Sequence, residues 1–166
     1  MGVLKFRQKI AAPTMMGQDF QSLDGGSLGR YQDVTIAPAQ VLTLFSVPQT
    51  VLAAPGANLA TILIGAMVTK PAGTAFAGLA AGSDLSLKYT GTGGLEVSQC
   101  ETTGFLDQTT AQARWMRIPA AASGPNDITP VANAVIILQL LLNDITTGTS
   151  PLKLRLLYRI VPTVLP

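Results

Sequence analysis

The chain contains no histidine, and that absence excludes more chemistry than any residue present suggests. Ser-His-Asp and Cys-His hydrolases need an imidazole base, and His-containing zinc sites need imidazole ligands. There is one cysteine, Cys100, so no intrachain disulfide can form. With no base available to activate it, Cys100 reads as a small buried hydrophobe. Charge is scarce as well. Only 12% of the 166 residues are charged, where about 25% is usual, while 48% are hydrophobic. A lone folded subunit needs charge on its outside. The deficit therefore points to surface covered by other subunits. Aromatic residues make up 5%, too few to line a sugar cleft or build a base-stacking platform.

Long apolar runs are missing too. Residues 131–142 are the longest, interrupted by Asn133 and Gln139. That is short of the roughly 20 residues a spanning helix requires, so no membrane partner is expected. Lys5, Arg7 and Lys9 stand near the N-terminus with no signal-length apolar run after them, so export through a signal peptide is not expected. Net charge is +2 and the eleven basic residues are scattered, so no nucleic-acid partner is expected either.

The nine carboxylates do not organise a site. A glycosidase needs two of them facing each other at about 5 to 10 Å. Glu96 and Glu101 are the nearest candidates, and nothing in the sequence places them in a cleft. No calcium loop of alternating acidic ligands occurs. Gly91, Gly93 and Gly94 resemble a nucleotide loop, but a strand pattern follows them. A phosphate cradle needs a helix N-terminus there. No catalytic residue, cofactor or metal ligand is assigned, and an enzyme is not expected.

What the chain does contain is a succession of short strand patterns between Gly and Pro turns. Residues 41–68 anchor it: two apolar runs flank Pro55-Gly56, with Pro48 breaking the first. Residues 1–32 are rich in Gly and polar residues, and residues 21–33 read as loop. An extended N-terminal arm that orders on a partner is the expectation, with a disordered tail as its alternative, followed by a β-domain from Asp33 to the C-terminus. Residues 37–40 suit a single helical turn. Leu85, Leu87 and Tyr89 alternate with polar residues as a half-buried strand. The glycines at 91–94 then make a hairpin loop into a strand near Leu95. Residues 107–118 are ambiguous: a capped helix for the first half and a strand for the second. The strand reading puts Ala113, Trp115 and Arg117 on one face, with Trp115 packing in the core or an interface. Residues 131–142 read as a central strand covered on both sides, or as a strand in a subunit interface. The cleanest pattern is the last, in which Leu152, Leu154, Leu156, Tyr158 and Ile160 alternate with Lys153, Arg155, Leu157, Arg159 and Val161. Such a basic face is ordinarily solvated. Its functional alternative is contact with an acidic partner. The cationic residues that could touch another subunit or a capsid are Lys5, Arg7, Lys9, Arg30, Lys153, Arg155 and Arg159.

The order of these stretches resembles a group of small structural proteins of tailed bacteriophages. The resemblance runs over residues 34–162. It is carried by Ala39-Gln40, Pro48, Ala54-Pro55-Gly56-Ala57 and the closing Tyr158-Arg159. It consists of apolar spacing and turn residues, with no catalytic signature. It implies an all-β, jelly-roll-like antiparallel β-sandwich and a capsid decoration (cement) protein. Such a protein binds the major capsid protein on the phage head as a homo-oligomer, commonly a trimer. Its place would be the virion surface, after assembly in the host cytoplasm. A tail, baseplate or head-fibre protein that binds a host receptor or sugar is the alternative. A cellular β-sandwich binding module is a third reading, without a ligand cleft to favour it.

Overall fold

The computed structural model describes residues 20–21, 27–117 and 128–164. Among the described residues nine strands and one short helix follow in the order β1 (Phe20–Gln21), β2 (Ser27–Ile36), α1 (Pro38–Leu42), β3 (Gln49–Leu52), β4 (Leu59–Lys70), β5 (Leu85–Tyr89), β6 (Glu96–Cys100), β7 (Gln112–Met116), β8 (Ile136–Leu140) and β9 (Leu152–Pro162). They form two antiparallel sheets. The larger has the order β1-β2-β9-β4-β7, and the smaller β3-β8-β5-β6. Strand β1 is only a two-residue addition at one edge.

The remaining eight strands pair from the outside inwards: β2 with β9, β3 with β8, β4 with β7, and β5 with β6. The chain is thus one long antiparallel hairpin whose paired arms are rolled into two facing sheets. This is the jelly-roll connectivity. It hides most strand edges and leaves connections at the two ends of the sandwich.

The core lies between the sheets. Strand β9 alternates as its sequence dictates: Leu152, Leu154 and Leu156 are buried, while Lys153 and Arg155 are exposed. Their neighbours Ala66 and Val68 on β4 continue the same buried row. From the small sheet come Leu85, Leu87, Tyr89, Ile136, Leu138 and Leu140. The Tyr89 hydroxyl donates to the Thr61 carbonyl oxygen. That bond ties the small sheet to β4 through an otherwise apolar interior.

Several sequence expectations change in detail. Strand β2 begins at Ser27 and pairs with β9 from Arg30 onward, inside the stretch read as loop. Pairing with the strongly patterned β9 outweighs the weak local preference of residues 30–32, while Ser27 and Gly29 pair with β1. The turn after residue 54 centres on Ala57-Asn58, where the Leu59 N–H donates to the Gly56 carbonyl. Asn58 takes φ +59°, a conformation that asparagine tolerates. Residues 107–111 form no helix; only the strand half of that expectation, β7, is present. The central strand β8 covers residues 136–140 alone. Asn133, at φ +51°, bends the chain before it and accepts the Gly56 N–H on its Oδ1. The hairpin after β5 forms as expected. Gly94 is required there, because a side chain would run into the Tyr89 carbonyl. Residues 22–26 of the stretch read as loop, and most of the arm, lie outside the described residues.

Candidate functional site

The outer face of the large sheet gathers the candidate contact residues. In register across it lie Thr35, Lys153 and Thr69, then Asp33, Arg155 and Met67, then Tyr31, Leu157 and Gly65. Lys153, Arg155 and Arg159 all occupy the exposed row of β9, as their alternation predicts. Arg30 does not join them. It stands opposite Tyr158, in the row that leads to the core-packed Leu63. Lys5, Arg7 and Lys9 lie outside the described residues.

The basic face is less basic than its sequence suggests. Arg155 makes a bidentate pair with Asp33, Nε to Oδ1 and Nη2 to Oδ2, both at 2.7 Å. Its guanidinium also sits 5.6 Å from the Tyr31 ring centroid. The hydrogen bonds from Arg155 hold the Asp33 carboxyl below the usual carboxylate range, against a small opposing effect of burial. Both side chains are more than half exposed, so water screens the pair and its main effect is orientation. A shallow groove of about 270 Å³ runs beside it, lined by Thr35, Met67, Thr69 and Lys153 among others.

Towards the β7 edge the same face becomes apolar. Trp115 is 63% exposed and Ile64 46%. Ile64 is the extra residue of a β-bulge between Leu63 and Gly65, which pushes it outward. The Trp115 indole lies across Gly65, where any Cβ would collide with the ring. A second depression, about 310 Å³, is bounded by Ile64, Gly65, Trp115 and Arg117 on one side and by Val97 and Ser98 of β6 on the other. Trp115 therefore belongs to the surface and not to the core. The sequence held one cue for this arrangement: a glycine inside a long apolar strand marks a bulge or a close approach.

The reactive residue types do not assemble a centre. Cys100 is buried, and burial pushes its thiol up to about 11, as suits a packing residue. Asp84 is raised, first by burial and then by the charge of Glu101, yet neither carboxylate lines either depression described above. Among the described residues no three His, Cys, Asp or Glu side chains come together as a metal site. No described helix is long and apolar enough to cross a membrane.

The chain matches no family model, and no curated protein or solved structure is detectably similar to it.

Proposed function

We propose that this chain is a virion structural protein, a capsid decoration protein that binds the head of a tailed phage as an oligomer and stiffens the shell. The observation that supports it best is the outer face of the large sheet. In a chain this poor in charge, one side of a jelly roll presents Trp115, Ile64 and Leu157 as neighbours around Gly65. Contiguous apolar surface of this kind marks contact with another protein. Tryptophan at such a centre is the residue type that most often dominates binding. The flanking Lys153 and the Arg155–Asp33 pair form a polar rim.

The mechanism is mechanical. Subunits cover this face against one another or against the major capsid protein, and the buried area resists outward pressure from the packaged genome. No bond is made or broken. A stable interface needs about 1,200 Å² or more of total buried surface. The closed symmetry of such an assembly is expected to be trimeric.

Light scattering on the purified chain, together with cosedimentation with phage heads that lack it, tests this reading. The expected result is a trimer mass for the wild type and saturable binding to heads. Trp115→Ser should keep the fold but reduce head binding or trimer affinity at least tenfold. A wild-type monomer that ignores heads would overturn the proposal.

A further inference from the structure

Two buried oxygens of the small sheet, Ser86 Oγ and Gln139 Oε1, have no hydrogen-bond partner. Ser86 is 0% exposed and Gln139 4%. Buried polar atoms left this way are costly and rare, and a bound ion is one of the things that satisfies them. The two are neighbours. Ser86 of β5 stands directly opposite Gln139 of β8 in the antiparallel register. Leu85, Leu87 and Tyr89 belong to the core, so Ser86 points to the sheet's other face, and Gln139 with it.

The same register brings two carboxylates to that face. Leu85 pairs with Cys100 on one side and Leu140 on the other, and all three are core residues. One step further along β5, Asp84 therefore comes opposite Glu101, on the face that Ser86 shares. The Leu141 N–H donates to the Asp84 carbonyl, so β8 keeps its register past this point. Burial and then the charge of Glu101 raise the Asp84 carboxyl, while a hydrogen bond from the Thr102 backbone and the charge of Arg117 oppose them in part. Two negative charges are thus held close together with incomplete compensation.

Strands lie about 4.8 Å apart and rise about 3.4 Å per residue. All four Cα atoms then fall within about 6 Å of one point above β5, midway between Asp84 and Ser86. Side chains of glutamine and glutamate length reach that point from the flanking strands. Exposure is graded across the group: Ser86 and Gln139 are buried, Asp84 is half-buried and Glu101 is exposed. Neutral oxygens form the floor, and carboxylates form a mouth open to solvent.

The donor set selects the ligand. All four groups offer oxygen, and Cys100 packs in the core. Two carboxylates with an amide and a hydroxyl oxygen suit a hard divalent cation. Ligands spread over three strands suit calcium, which accepts irregular coordination and completes it with water, better than magnesium, which demands a near-ideal octahedron. Among the described residues no third acidic, histidine or cysteine side chain joins such a group. The expected affinity is therefore modest.

We propose that Asp84, Ser86, Glu101 and Gln139 bind one calcium-type cation on the outer face of the small sheet. The ion satisfies the two unpaired oxygens, offsets the repulsion between Asp84 and Glu101, and ties β8, β5 and β6 together. The inference does not depend on the virion reading.

The test is calorimetric titration of the full chain with calcium chloride after chelator treatment, paired with thermal unfolding. The expected result is one calcium per chain with a Kd on the order of 0.1 to 1 mM. The melting temperature should be at least about 3 °C higher in 10 mM calcium chloride than in sodium chloride of equal ionic strength. Glu101→Gln, a change at an exposed side chain, and Ser86→Ala should each weaken binding at least fivefold. Asp107→Asn, at an exposed carboxylate in the loop before β7, should leave it unchanged. Absence of saturable binding, an equal response to magnesium, or calcium affinity unchanged in either Glu101→Gln or Ser86→Ala overturns the proposal.

Discussion

Tyr89→Phe removes one oxygen from the middle of the sandwich. Tyr89 is 1% exposed, and its hydroxyl donates to the Thr61 carbonyl across the inter-sheet gap. Phenylalanine keeps the ring volume, so no large cavity opens and the loss is the hydrogen bond itself. A typical net hydrogen bond contributes about 1 kcal/mol, and stranding a buried acceptor raises the cost to about 1 to 3 kcal/mol. For a chain of this size, each kcal/mol corresponds to about 2 to 4 °C in melting temperature. Urea unfolding followed by circular dichroism should show a lower midpoint with an unchanged slope. The pH dependence supplies a second, signed test. Burial raises the Tyr89 hydroxyl above its ordinary value of 10.0. A raised folded pKa means that the folded state keeps a proton the unfolded state has released. The stability linked to Tyr89 is thus whole below pH about 10 and is lost as pH rises through the folded value. Wild type should lose stability more steeply than Tyr89→Phe above pH 10. A midpoint shift below about 0.5 kcal/mol, or parallel alkaline limbs, would refute the inter-sheet role assigned to this bond.

Lys70→Met probes the opposite sign. Lys70 is 1% exposed, its ammonium donates to the Gln108 carbonyl at 2.7 Å and the Pro71 carbonyl at 3.3 Å, and burial lowers its pKa from 10.5. Its linked stability is present above 10.5 and lost as pH falls through the folded value, so the variant should lack that rise when urea midpoints are compared across alkaline pH. Gly65→Ala should lift the Trp115 ring off the sheet and change the emission of the chain's single tryptophan while leaving the far-ultraviolet spectrum intact; unchanged emission would contradict the stacking. Asp33→Asn should abolish a small, salt-sensitive contribution to stability that is present above the unfolded aspartate pKa and lost as pH falls through the lowered folded value. A loss that persists unchanged in 1 M salt would mean that the carboxylate does more than hold Arg155.

The sequence by itself determined which stretches become strands wherever alternation was strong. Leu152 to Ile160 could bury only one face, so β9 and its exposed Lys153, Arg155 and Arg159 followed from period-two patterning alone. The long strand after Gly56, the glycine hairpin and the all-β class were legible for the same reason. Tertiary structure decided the rest, because the decisive partners are far apart in the chain. Strand β2 runs through residues 30–32 because β9, more than a hundred residues later, offers it a ladder. Trp115 lies on the outer face opposite the buried Met116, and its indole rests on Gly65 beside the bulge at Ile64. Arg155 has its charge matched by Asp33, 122 positions away. The outer face of the small sheet shows the limit most clearly. Ser86 looked like the solvated half of an alternating strand, yet it is fully buried. Local pattern encodes which side chains share a face, whereas what lies on that face depends on contacts between distant parts of the chain.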